Sequence, residues 1–132
     1  MKNTFKKPER LKSSREIGSL LSEGQHLNFY PIKIFWKVIC GHAGSVPAKA
    51  AFVVPKKNFK RAVDRNLIKR RLRESYRTNK HSLYSYLEDN NISLTFVFIY
   101  ISKEIYSYNK IFNTMKESLS RLKEKLTSEL NN

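Results

Sequence analysis

The residues best suited to chemistry are cations that crowd one stretch of the chain. Residues 56–77 contain ten lysines and arginines but only two carboxylates, Asp64 and Glu74. Fixed positive charges at this density focus the electrostatic potential on one surface and attract a polyanion. Lysine and glutamate alternate near balance over residues 110–130, which is typical of a solvated face. The pattern therefore predicts a phosphate-binding surface centred on residues 56–77.

The same stretch is predicted to be helical. Residues 62–79 lack glycine and proline and are rich in Leu, Lys, Arg and Glu, which favour a helix. At 100° per residue, seven side chains fall within an arc of roughly 140°: Arg65, Asn66, Lys69, Arg70, Arg73, Tyr76 and Arg77. Leu67, Ile68 and Leu72 fall outside the arc and are expected to face the core. Further cations extend the surface beyond the helix start, where free N–H groups also favour anions: Lys56, Lys57, Lys60 and Arg61.

A basic helix of this kind could bind RNA, DNA, calmodulin or an anionic membrane. Tyr84, Tyr86 and the asparagines at 90–91 interrupt any heptad register, which argues against a leucine zipper on DNA. The apolar residues are too few to serve both a core and a lipid surface. Arg, Lys and Asn match the phosphates and 2′-hydroxyls of RNA. RNA is therefore favoured, and DNA is the main alternative.

The chain itself is not predicted to be a nuclease. A protein nuclease needs clustered carboxylates for metal ions or an acid–base pair, whereas Asp64 and Glu74 lie on separate faces of the predicted helix. The single cysteine, Cys40, can form no internal disulfide, and no export signal or membrane-length apolar run is visible. The histidines lack partners at the spacing of metal ligands: His26, His42 and His81. We expect a cytoplasmic protein without a metal or cofactor of its own.

The rest of the chain must form a domain that positions the basic helix. At 132 residues and 40% hydrophobic content, residues 1–132 are expected to form one domain with a flexible basic N-terminus at 1–9. Patterning predicts a helix from about residue 13 to residue 24 and strands at 27–30, 32–39, 49–54 and 93–101. An amphipathic helix follows from Ile111 onwards. The order α-β-β-β-α-β-α predicts an α+β fold with helices on a small mixed sheet.

Residues 56–74, with the sequence KKNFKRAVDRNLIKRRLRE, resemble the signature of the protein subunit of bacterial ribonuclease P. That family has a lysine pair, then Ala, Arg-Asn, Lys-Arg and Arg-Glu at fixed offsets on a helix, and every element is present here in order. The resemblance runs from residue 10 through the closing helix. It implies a two-layer α-β-β-β-α-β-α sandwich, ribosomal protein S5 domain 2-like, with the basic helix in a left-handed βαβ crossover.

The resemblance also implies a role in 5′ maturation of transfer RNA. In that family a large RNA subunit holds the catalytic magnesium ions, and the protein binds this RNA and the 5′ leader of precursor tRNA. The implied partners are thus the ribonuclease P RNA subunit and precursor tRNA, with one monomeric protein per RNA and no membrane. The magnesium belongs to the holoenzyme. A ribosomal or other structured-RNA binding protein with this fold stays the alternative.

Two sets of site residues follow from matching positions in the family. The first set would bind the RNA subunit: Lys56, Lys57, Lys60, Arg61, Arg65, Asn66, Lys69, Arg70 and Arg73. The second set would line a cleft for the precursor leader: Ile17, Leu21, Lys33 and Phe35. Phe35 stands where the family has an aromatic residue on which an unpaired base can stack. Because Ile17 and Leu21 replace phenylalanines common in relatives, we expect a less aromatic cleft.

Overall fold

The computed structural model describes residues 5, 7–40 and 46–130, without the side chains of Lys7, Cys40 and Leu130. Residues 41–45, between the predicted strands at 32–39 and 49–54, therefore lie outside the described residues. A one-turn 3-10 helix comes first, and eight further elements follow it: α1 (Ser14–Glu23), β1 (Gln25–Phe29), β2 (Ile32–Cys40), β3 (Ala48–Val53), α2 (Ala62–Asn79), α3 (His81–Asp89), β4 (Ile92–Tyr100) and α4 (Tyr108–Leu130).

The strands form one mixed sheet in the order β1-β2-β4-β3. The β1–β2 and β2–β4 pairs are antiparallel, and β3 pairs with β4 in parallel. Parallel neighbours cannot be joined by a tight hairpin, so α2 and α3 form the crossover between them. The α+β prediction is confirmed.

The main core lies between one face of the sheet and the helices α2, α3 and α4. Alternation along β2 buries Ile34 and Trp36 on this face and turns Lys33 and Phe35 to the other. Strand β4 is central and is covered on both faces, which explains its nearly continuous run of apolar residues. The core therefore fixes which side of the sheet each predicted site residue occupies.

Helix α1 covers part of the opposite face. The Ser13 hydroxyl accepts a hydrogen bond from the Glu16 backbone N–H at 3.3 Å and caps the helix. Leu20 is the buried contact of α1 and packs in a second apolar cluster with Leu11 and Val97. Gly24 ends the helix where a Cβ would come within 2.5 Å of the Leu20 carbonyl oxygen. Glycine, which has no Cβ, is therefore required at this turn.

Two elements differ from the sequence-based expectation. Helix α3 was not predicted, because only Lys80 separates it from α2 and Lys80 itself keeps helical backbone angles. No glycine or proline marks the boundary between the two helices. The flexible N-terminus expected at 1–9 does not extend over Lys7–Glu9, which form the 3-10 helix with the Glu9 side chain buried. Residues 1–4 and 6 lie outside the described part of the chain.

Candidate nucleic-acid interface

Helix α2 has one buried face and one charged face. Ile68 and Leu72 are fully buried against the core, whereas Asn66, Arg70 and Arg73 are exposed. Since Asn66, Arg70 and Arg73 lie within about 60° of one another around the axis, their side chains project to the same side. The structure therefore places these three predicted site residues together on one open surface.

One edge of the predicted arc lies closer to the core than the rest of the arc. Lys69 is half-buried, and Tyr76 is completely buried. The Tyr76 ring packs edge to face on Phe52 and on Phe98, at 5.7 and 5.4 Å between centroids. The prediction that Tyr76 belongs to the charged face is wrong. An ideal helical projection gives angles but not where the sheet lies, and the sheet meets α2 on the Tyr76 side.

Residues 56–61, here called the basic segment, connect β3 to α2. Within it, the predicted RNA-binding side chains all face solvent: Lys56, Lys57, Lys60 and Arg61. Phe59 is 7% exposed and packs on Tyr100, with ring centroids 6.0 Å apart. One buried aromatic ring thus anchors a short segment whose cations point outward. The basic segment and the exposed face of α2 form one continuous cationic surface.

Arg65 has a different setting from the other predicted site residues. Its Nη1 donates hydrogen bonds to the carbonyl oxygens of Phe59 and Lys60, at 2.7 and 2.9 Å. Arg65 therefore ties the basic segment to the first turn of α2. A guanidinium has five N–H donors, so the group can hold this turn and still offer hydrogens to a phosphate. The sequence did not indicate this internal contact, because nothing in it shows that the backbone folds back onto Arg65.

Two other cations of the stretch serve the protein itself. Arg71 Nη1 donates to the Tyr106 carbonyl oxygen at 2.5 Å and joins α2 to the loop that precedes α4. Arg77 pairs with Glu74 at 2.5 Å on the surface, and the hydrogen bond to Glu74 raises the pKa of Arg77. Charge density alone could not separate these structural arginines from the exposed ones.

The predicted leader residues lie on the α1 side of the sheet. Phe35 is half-buried and packs with Ile17 against the second apolar cluster. Lys33 Nζ lies 5.1 Å from the centre of the Phe35 ring, within the range of a cation–π contact. His26, which the sequence did not indicate, is the cross-strand partner of Phe35, with ring centroids 5.5 Å apart. Leu21 lies one helical turn beyond Ile17 and is 42% exposed.

The strand register relates the leader residues to the cationic surface. Lys33 lies opposite Ile99 on β4, and Ile99 lies opposite Val53 on β3. The basic segment begins only three residues after Val53. Lys33 and the basic segment therefore lie at the same end of the sheet, although they are distant in sequence.

A groove of about 580 Å³ lies between α1 and the sheet towards its opposite end. Its lining includes three cations, Arg15, Lys37 and Lys49, above an apolar floor that contains Leu20 and Leu94. None of the four predicted leader residues lines it. The sequence did not indicate this groove, because its walls come from five separate stretches of chain.

The described residues show neither a metal site nor a membrane span. No group of three His, Cys, Asp or Glu side chains among them could hold a metal ion. No helix within residues 7–40 and 46–130 combines the length and the apolar character needed to cross a bilayer.

Comparison with known proteins gives consistent similarities. The sequence model of the family described as ribonuclease P matches residues 5–126. The ribonuclease P protein component of Porphyromonas gingivalis is 34% identical over 116 residues, which cover 88% of this chain and 84% of that protein. The structure of the Staphylococcus aureus RNase P protein matches with a TM-score of 0.66 and 19% identity, and the match covers 86% of this chain and 94% of that protein. The Thermotoga maritima RNase P protein matches with a TM-score of 0.64 and 23% identity, over 86% of this chain and 96% of that protein. These two structures show the same fold.

Proposed function

The chain belongs to the ribonuclease P protein family, whose role is in tRNA processing, and we propose that it binds the ribonuclease P RNA subunit through α2 and the basic segment. The family match sets aside the ribosomal alternative. The observation that carries the proposal is the two-sided character of α2, with Ile68 and Leu72 held in the core and Arg70 and Arg73 exposed. A helix fixed on one side presents its cations in a defined array, as recognition of RNA phosphates requires.

The catalytic centre, in this proposal, belongs to the RNA subunit. The cations of this chain neutralise phosphates and let the RNA adopt its active fold at lower magnesium concentration. Magnesium ions are held by RNA and the holoenzyme needs them, whereas this chain supplies no catalytic side chain. One monomeric copy serves each RNA subunit, in the cytoplasm.

Leader binding is the second part of the proposal. Phe35 offers one half-exposed ring, and Lys33, which lies over it, sits at the end of the sheet from which the basic segment leaves. An unpaired base can stack on such a ring while the cation contacts its phosphate. Precursor tRNA has a 5′ leader and mature tRNA has none, so this contact distinguishes substrate from product. The groove with Arg15, Lys37 and Lys49 is a suitable continuation for a longer leader.

The test is reconstitution with a bacterial ribonuclease P RNA and a 5′-leader precursor at low magnesium, where the RNA alone is slow. We expect strong stimulation by the protein and no cleavage by the protein alone. The Arg70→Ala/Arg73→Ala double variant should lose most of the stimulation. A matched double variant on α4, Lys110→Ala/Lys116→Ala, should keep it, since both of those lysines are exposed outside the cationic surface. Cleavage without the RNA subunit would overturn the proposal.

A further inference from the structure

An exposed apolar surface lies where the β1–β2 turn meets the loop between β4 and α4. Tyr30 is 55% exposed, Ile101 36% and Ile105 43%. The Ile101 N–H donates to the Pro31 carbonyl oxygen at 2.8 Å, so the turn and the loop are joined directly. The rings of Tyr30 and Tyr106 meet edge to face, with centroids 6.2 Å apart. Tyr30, Ile101, Ile105 and Tyr106 are here called the tyrosine platform.

The loop is held in place by hydrogen bonds. The Tyr100 hydroxyl donates to the Glu104 carbonyl oxygen at 2.7 Å and accepts from the Tyr106 N–H at 3.0 Å. The buried Ser102 hydroxyl accepts from the Glu104 N–H at 2.9 Å and from the Tyr30 hydroxyl at 3.0 Å. These hydrogen bonds fix the backbone of the loop. Its apolar residues are therefore exposed in an ordered conformation. Ordered, clustered apolar exposure of this kind marks a binding surface.

Charge and position indicate what binds there. Arg71 donates to the Tyr106 carbonyl oxygen at the edge of the platform, and exposed Lys103 lies within the loop beside Glu104. Tyr100, whose hydroxyl organises the loop, packs its ring on Phe59 of the basic segment. The platform therefore adjoins the cationic surface through one pair of rings. Exposed aromatic rings beside cations are the combination with which proteins bind single-stranded nucleic acid.

We propose that the tyrosine platform stacks an unpaired RNA base on Tyr30, and so extends the RNA-binding surface beyond the basic segment to the β1–β2 turn. This inference rests on the proposed RNA-binding function and adds a base contact to a surface that otherwise contacts phosphates. Tyr76 and Tyr84 cannot take this role because both are buried. Tyr30 is the tyrosine that combines high exposure with a fixed hydroxyl.

The test measures binding of a fluorescein-labelled oligoadenylate, and of an RNA duplex, by anisotropy at low salt. Since stacking on one aromatic ring is worth about 5- to 150-fold in affinity, Tyr30→Ala should weaken oligoadenylate binding within that range. Duplex affinity should stay within about two-fold, because paired bases are already stacked on one another. Tyr30→Phe keeps the ring and should bind oligoadenylate like the unmodified protein.

Two matched controls accompany the tyrosine variants. Ile105→Ala, in the platform, should weaken oligoadenylate binding, whereas Phe112→Ala should not. Phe112 is a partly exposed aromatic residue on α4 and lies outside both the platform and the groove proposed for the leader. Unchanged binding by Tyr30→Ala, or equal loss in Tyr30→Phe, would overturn the platform. A failure of the proposed RNA binding by α2 and the basic segment can be told apart from a failure of the platform. It would appear as normal RNA binding by the Arg70→Ala/Arg73→Ala variant.

Discussion

Lys80 and Glu9, 71 positions apart in sequence, form a buried ion pair that ties the N-terminal 3-10 helix to the junction of α2 and α3. Their side chains are 4% and 7% exposed. The Tyr84 hydroxyl donates to the same Glu9 carboxylate at 2.8 Å, and the Tyr76 and Tyr84 hydroxyls share a hydrogen bond of 2.9 Å. The Leu11 N–H then donates to the Ala50 carbonyl oxygen on β3. The N-terminal stretch therefore covers an edge strand that would otherwise be open for pairing.

Removing one charge of the buried pair should destabilise the fold strongly. Glu9→Gln keeps the shape of the side chain but removes the negative charge that offsets Lys80. Loss of one partner of a buried ion pair costs about 3–5 kcal/mol of unfolding free energy. Denaturant unfolding followed by circular dichroism measures the change. Glu74→Ala, which breaks the surface pair with Arg77, is the control and should cost much less. Equal losses would show that the Glu9–Lys80 pair is not effectively buried.

The fold should lose stability at alkaline pH because of two tyrosines. Burial, the largest cause for both, raises the pKa of Tyr76 and of Tyr84 above the ordinary value. Both stay protonated when folded, but ionise near pH 10 when unfolded. Stability is therefore complete below about pH 10 and falls above it, by about 1.4 kcal/mol per pH unit for each tyrosine. Tyrosinate absorbance and circular dichroism should change together for this pair. Ionisation of all seven tyrosines without loss of structure would contradict the prediction.

Single substitutions on the exposed face of α2 should each remove about one phosphate contact. Arg70→Ala or Arg73→Ala should flatten the dependence of log affinity on log salt for the RNA subunit by about one contact, or 0.7–0.9 in slope. Binding titrations at several salt concentrations measure this slope. Lys116→Ala removes the same charge from exposed α4 and should leave the slope as it is. An equal change of this slope in Arg70→Ala, Arg73→Ala and Lys116→Ala would indicate a general effect of net charge.

Arg65 should behave as a positioning residue for the basic segment. Because its Nη1 holds the carbonyl groups of Phe59 and Lys60, Arg65→Ala should release the segment as well as remove a charge. We expect the slope of log affinity against log salt to fall by more than the loss of one phosphate contact explains. Amide hydrogen exchange at Asn58, whose N–H donates to the Pro55 carbonyl oxygen at 3.2 Å beside the segment, should become faster in this variant but not in Arg73→Ala. Arg65→Lys should restore the charge but not the exchange protection, since lysine lacks the planar fork. Unchanged exchange in Arg65→Ala would rule out the positioning role.

Phe35 should affect binding of the precursor and not of the mature tRNA. Phe35→Ala removes the ring under Lys33, so affinity for a leader-containing precursor should fall by roughly 5-fold or more, as for the loss of one stacked base. Equilibrium binding of both tRNA forms to the reconstituted holoenzyme measures the ratio. Phe35→Leu, which retains apolar packing with Ile17, separates stacking from packing. Equal losses for precursor and mature tRNA would make Phe35 a core residue.

The elements with strong local patterns were predictable. The bounds of α2 agree at both ends because residues 62–79 contain no helix breaker, and the Ser13 cap and Gly24 define α1 through local chemistry. Helix α3 was missed because the boundary at Lys80 has no glycine, proline or other local signal. Its buried side chains, Leu83, Tyr84 and Leu87, do have the spacing of one helix face, but the helix has only nine residues and no side-chain cap hydrogen bond marks its start.

The sequence by itself determined the composition of the interface and the family, because charge density and the offsets of residues 56–74 are local properties of the chain. Tertiary structure decided what each cation does. Arg65 and Arg71 turn towards backbone carbonyl groups, whereas Arg70 and Arg73 face solvent, although all four are arginines on one helix. The physical reason is that a hydrogen bond depends on where the rest of the chain returns, such as Tyr106, 35 residues from Arg71. Residues so far apart in sequence come within hydrogen-bonding distance only when the sheet and helices pack together.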